Sequence, residues 1–214
     1  MMATTDAVDV EMLVEYLTAE ITEMHAAPDG WPGHVELALI DAVLSIRAVY
    51  GVSADTGVRG AIKRYKAESG RPCWDDLGVL GEADPQWLQT VLGNKQKTGG
   101  VPKAEAIVSA AGRLAASAAR HASDIDRDSA AQRAAYCGTR GLGPVTWDYF
   151  LMLVGHDGVK ADTLVTRFVV EALGRGLGSE EVSRLVTDAA RRMDMPVSAL
   201  DHSIWRHMSR HRKS

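Results

Sequence analysis

Apolar residues recur every three to four positions along most of this chain, and strict apolar–polar alternation is confined to short runs such as Leu17–Thr22 that sit inside the helical spacing. That spacing places apolar groups on one face of an α-helix and leaves no half-buried strand to build a sheet. Val8, Met12, Leu13, Tyr16, Leu17, Ile21 and Met24 mark a helix over 8–25, which the Pro28–Gly33 segment stops. Residues 34–50 form a second helix, apolar on more than one face (Leu37, Leu39, Ile40, Val43, Leu44, Ile46), as a buried central helix is. A third runs over about 55–67. Asp84-Pro85 reads as an N-cap followed by proline at the first helical position. Gly93–Gly100 is a basic, glycine-rich loop, after which Val101-Pro102 opens an alanine-rich helix to about Arg120. Helices follow over 126–137, 145–155 and about 162–174, then two more for which Ser179 and Ser198 are the expected caps, with Ser198-x-x-Asp201 at capping-box spacing. The fold class read from this is all-α: one compact domain over 1–214, with lobes about 35–125 and 126–175 completed by the terminal helices.

Other classes fall away on composition. With 46% hydrophobic residues and a net charge of −4 over 214 residues, the chain can bury a real core. Cys73 and Cys137 are the only cysteines, too few for a disulfide scaffold or a four-thiolate iron–sulfur cluster. No apolar run approaches the roughly 18–20 residues that cross a bilayer, and the first residues lack the basic head of a secretion signal. The expectation is a cytoplasmic protein, nucleoid-associated if bacterial, with no cofactor and no membrane partner. Charge is graded along the chain. Residues 1–46 hold nine acids and no Lys or Arg, whereas Arg206, Arg210, Arg212 and Lys213 crowd the end. Because binding depends on the local face, a polyanion partner is compatible with a pI near 6.0. His202, His207 and His211 read first as part of this basic tail, and no metal site is expected.

The segment Arg140-Gly141-Leu142-Gly143-Pro144-Val145-Thr146-Trp147 carries most of the functional information. Two glycines flank one apolar residue between two helices. Glycine permits positive φ and close backbone approach, and the following helix start offers amides and a positive dipole end suited to one phosphate. Leu142 is expected to tuck under the turn. An ordinary helix–helix turn has the same pattern. Downstream stands Val159-Lys160-Ala161-Asp162-Thr163-Leu164-Val165-Thr166-Arg167; upstream stand Lys103-Ala104-Glu105-Ala106-Ile107 and Leu44-Ser45-Ile46-Arg47.

In this order and spacing the four segments resemble the helix-hairpin-helix (HhH-GPD) DNA glycosylase superfamily, the endonuclease III-like group, over roughly residues 35–175. That family's hairpin runs apolar-Pro-Gly-apolar-Gly-x-Lys-Thr-Ala, and its later stretch resembles Val-Asp-Thr-His-Val-x-Arg. The resemblance implies a two-lobed helical fold, double-stranded DNA as partner, damaged DNA above all, and base-excision repair chemistry. Asp162 takes the position of the catalytic carboxylate; helix capping suits it equally. Gly141, Leu142, Gly143, Val145 and Thr146 would grip the DNA backbone. Arg47 stands where the family often has a glutamine wedge, and Arg167 is a further phosphate contact or a solvated surface charge. Tyr50 and Trp31 would line the pocket of a flipped base, or pack the core. Val145 replaces the lysine that forms the imine in bifunctional members, so lysine-based lyase chemistry is not expected. The implied activity is a monofunctional DNA glycosylase; the alternative is a non-catalytic DNA- or protein-binding module of the same fold.

Overall fold

A computed structural model describes residues 2–48 and 55–211. Among them are eleven α-helices and one two-stranded hairpin, so the all-α expectation holds. The helices are α1 (Met2–Glu20), α2 (Val35–Leu44), α3 (Gly57–Ser69), α4 (Leu77–Gly81), α5 (Pro85–Leu92), α6 (Lys103–Ala116), α7 (Ala130–Cys137), α8 (Pro144–Val154), α9 (Thr163–Leu173), α10 (Ser179–Arg192) and α11 (Val197–His211). The strands are β1 (Lys97–Thr98) and β2 (Val101–Pro102), antiparallel, with Lys97 opposite Pro102.

The chain divides into two compact units. A middle unit spans Gly30–His156. A terminal unit joins the first 29 residues to the chain from Asp157 onward.

In the middle unit α2 is the core helix. Every residue from Val35 to Leu44 is buried except Asp41. Its one buried charge, Glu36, is fully enclosed and bonded to Arg71, to the Tyr65 hydroxyl and to the Asp76 N–H. A buried carboxylate persists only with such partners. Helix α2 ends at Leu44, earlier than its apolar pattern predicts. Buried Lys103 draws the Leu44 and Ile46 carbonyls to its ammonium at 2.8 and 2.7 Å, and Gln96 Oε1 completes the set at 2.8 Å. These bonds satisfy carbonyls that a longer helix would have paired internally. Asp84 caps α5 as expected, its carboxylate accepting from the Gln86 and Trp87 amides. Val101-Pro102 belongs to β2, and α6 starts at Lys103 and ends at Ala116, short of Arg120.

The terminal unit encloses its own core from Leu13 and Leu17 of α1 with Ile21 just beyond it, Val165, Phe168 and Val169 of α9, Leu185, Val186 and Ala189 of α10, and Leu200 and Ile204 of α11. The acids of α1 meet arginines across this unit: Asp9 with Arg175, Asp6 with Arg184 and Glu11 with Arg192. The one-sided charge of residues 1–46 is thus partly neutralised where α1 packs. Two expected caps differ. Ser179 is the first residue of α10, behind Gly178, with no side-chain cap bond. At the start of α11 the amides of Val197 and Ser198 are held not by Ser198 but by Asp157, at 3.1 and 2.7 Å.

Candidate functional site

The hairpin expected from sequence is present in the middle unit. Helix α7 ends at Cys137, the chain turns through Gly138–Gly143, and α8 starts at Pro144. Tyr136 stacks on Phe150, tilts against Trp147, and donates its hydroxyl to the Thr146 carbonyl at 3.1 Å, fixing the two helices together. Leu142 is 9% exposed and lies under the turn, so it supports the loop from within.

The two glycines do different work. Gly141 has φ +85, and a Cβ there would stand 2.5 Å from the Thr98 carbonyl carbon and 2.6 Å from the Gly99 nitrogen. Its need for glycine comes from the β1–β2 turn, which docks on it backbone to backbone and ties down through Thr98 Oγ1 donating to the Gly141 carbonyl at 2.7 Å. Gly143 has an extended backbone (φ −162), and a Cβ there would meet no atom within 4 Å. Its N–H donates to Thr146 Oγ1 at 3.0 Å, and that hydroxyl donates back to the Gly143 carbonyl at 2.8 Å. Thr146 therefore orients the N-cap, and half-buried Val145 begins the helix beside the open face. The basic loop and the hairpin turn, far apart in sequence, meet at Gly99 and Gly141, and Lys95, Lys97 and Arg140 of these two segments are exposed.

Arg47 is exposed directly after α2, in a left-handed conformation (φ 51). Such a φ is costly for arginine and persists only where neighbours hold it. Here the Lys103 bonds to the carbonyls on either side of Ser45 hold the turn. Trp31 is half-buried, and its indole N–H donates to Asp41 at 3.0 Å, a carboxylate that also receives Ser45 Oγ and the Tyr149 hydroxyl. Trp31 thus packs against the middle-unit core with its polar edge occupied. Tyr50 lies outside the described residues. Sequence reading passed over Asp41; its position one turn before Ser45, between two aromatic donors, is visible only in space.

Asp162 and Arg167 belong to the terminal unit. Asp162 is the N-cap of α9: its Oδ1 accepts from the Leu164 and Val165 amides at 2.8 and 3.1 Å. Among the described residues its Oδ2 takes no such bond, and the residue is half-exposed. The cap fixes the orientation of the carboxylate at the start of α9. Arg167 is exposed and paired with Glu171 at 2.7 Å, one turn away on the same helix. Asp201, read from sequence only as part of a capping box, is buried, and its Oδ1 accepts the Lys160 N–H at 3.0 Å. Burial and the charge of Asp162 push its carboxyl up to about 8. Among the described residues no group of His, Cys, Asp and Glu is arranged to hold a metal ion, and no helix is long and apolar enough to cross a membrane.

A family model matches residues 11–209. The chain belongs to the DUF8548 family, a domain of unknown function. No curated protein and no solved structure matches it. Family membership therefore names no chemistry for the hairpin or for Asp162, and the functional reading rests on their geometry.

Proposed function

We propose that this protein binds damaged duplex DNA through the turn before α8 and hydrolyses the bond between sugar and flipped base with the Asp162 carboxylate, as a monofunctional DNA glycosylase. The observation that carries this reading is the state of Asp162: one oxygen is pinned by two helix amides and, among the described residues, the other accepts no hydrogen bond, on a half-exposed side chain. A carboxylate held in this way pays no reorganisation cost when positive charge develops beside it. A glycosylase extrudes the nucleotide, at a cost of a few kcal/mol, to reach the bond. The electron pair of the C1′–N bond leaves with the base, which takes up a proton. The oxocarbenium-like sugar is balanced by the carboxylate, and water adds at C1′ while giving a proton to it. The open face at Gly143, with Arg140 exposed on the hairpin turn and Lys95 and Lys97 on the loop that meets it, supports backbone binding without base readout. Val145 cannot form an imine, so the product is an abasic site that breaks only on alkali treatment.

The test is base release from duplexes carrying alkylated, deaminated or oxidised bases. Asp162→Asn is expected to lower release roughly 100-fold or more with DNA affinity retained; equal release by this variant overturns the assignment. Val145 also favours a second reading, a DNA-binding module without chemistry. Salt-sensitive duplex binding that Gly143→Glu weakens, with no base release across the whole panel, selects it.

A further inference from the structure

Asp201 lies early in α11, and only 6% of it is exposed. It does not cap its own helix; Asp157 does. Its Oδ1 instead holds the Lys160 amide at 3.0 Å, two residues before Asp162. The Asp162 N–H folds back to the Lys160 carbonyl at 2.6 Å, and the Asp162 side chain then caps α9. One short turn is thus held at its first amide by Asp201 and at its end by Asp162. Val159 and Ala161, on either side of Lys160, are buried in the core that Leu200 and Ile204 of α11 share.

The charged groups acting on Asp201 are Asp162 and Lys160; α10 and α1 enter the same core through apolar residues, among them Leu185, Val186, Leu13 and Leu17. Two neighbouring carboxylates cannot both carry charge cheaply when one is buried. Asp162 is half-exposed and accepts two amides, whereas Asp201 is buried. Neutral Asp201 still accepts the Lys160 N–H. Ionising Asp201 in this core carries the cost of burying a charge, raised further by Asp162 and offset in part by the Lys160 amide and ammonium.

We infer that Asp201 is a positioning residue for Asp162: uncharged, it fixes the turn that presents the Asp162 carboxylate, and ionised, it lets that turn go. The consequence for activity rests on the glycosylase reading; the coupling between the two acids does not.

Two measurements on the full chain separate these. Carboxyl carbon-13 NMR is expected to show Asp201 titrating near 8, and the midpoint to fall when Asp162→Asn removes the neighbouring charge. An ordinary acidic midpoint, or the same midpoint in both proteins, overturns the inference. Base release is then followed from about pH 6 to about pH 9. Asp201→Asn keeps an acceptor for Lys160 and cannot ionise, so it is expected to retain turnover at neutral pH and to lose the alkaline fall of the wild type. Asp201→Ala, shown to be folded by circular dichroism, is expected to lose roughly tenfold or more in kcat at unchanged DNA affinity. An alkaline fall that survives in Asp201→Asn, or wild-type kcat in Asp201→Ala, also overturns it. If the wild type releases no base while the Asp201 midpoint still follows Asp162, the positioning role stands and the glycosylase reading falls.

Discussion

At the residue scale, Gly141 and Gly143 look alike in sequence and are held by different forces. Gly141 faces the backbone of the β1–β2 turn at positive φ, so Gly141→Ala is expected to cost about 2 kcal/mol or more in urea unfolding. Gly143 is extended with open space beside it, so Gly143→Ala should stay within about 0.5 kcal/mol of wild type. Equal losses at both positions would contradict this division. Asp201 gives a second residue-level expectation. Its carboxyl stands at about 8 in the folded chain, against about 3.9 for an unfolded aspartate. The unfolded chain therefore gives up that proton first, and the stability from neutral Asp201 is full below about pH 4 and lost as pH rises through about 8. His202, whose ring burial pushes down, acts in the opposite direction near its own range. The difference between wild type and Asp201→Asn in urea midpoint from about pH 5 to 8.5 isolates the aspartate: wild type falls relative to the variant.

At the scale of elements, the helix at the end of the chain shows what pattern reading can and cannot reach. Ser198-x-x-Asp201 has capping spacing, yet Asp157, 41 residues upstream, supplies the cap at Ser198. Asp157→Ala is expected to cost about 1 kcal/mol and Ser198→Ala almost nothing, by thermal unfolding. Local rules did find Asp84-Pro85, the hairpin and the N-cap at Asp162, because each depends on neighbours in sequence. The same rules overran α2, whose end is set by Lys103 of α6. They gave no hint that the basic loop sits on Gly141, a contact between main chains that leaves no trace in periodicity. The hydrogen bonds of Asp41 to Tyr149 and of Asp201 to the Lys160 amide are hidden for a related reason: these partners come from distant segments, so local spacing shows Asp41 as one more acid of a helical pattern and Asp201 as a capping residue. Lys103→Met is expected to cost about 1–3 kcal/mol by leaving the Leu44 and Ile46 carbonyls unpaired, and to loosen the Arg47 turn.

At the scale of the whole molecule, the two units are built differently along the chain. The middle unit is one continuous segment with its own core, including fully buried Trp147, Tyr65 and Tyr136. Expressed alone, residues 30–156 are expected to unfold cooperatively by circular dichroism, as a segment with an independent core does. A noncooperative melt would show that this core needs the chain ends. The terminal unit has no such continuity, since α1 must find α9, α10 and α11 across the intervening segment.

That division sets an order of events on the ribosome. Leu13, Leu17 and Ile21 leave the exit tunnel before any of the helices that cover them have been made. At about 5–20 residues per second, α1 waits on the order of ten seconds for its partners. During that wait its apolar stripe is bare while the middle unit is already collapsing behind it. Nine acids and no Lys or Arg over residues 1–46 make nascent copies repel one another, so the charge that later seats α1 against Arg175, Arg184 and Arg192 first serves to keep an unfinished polypeptide dispersed.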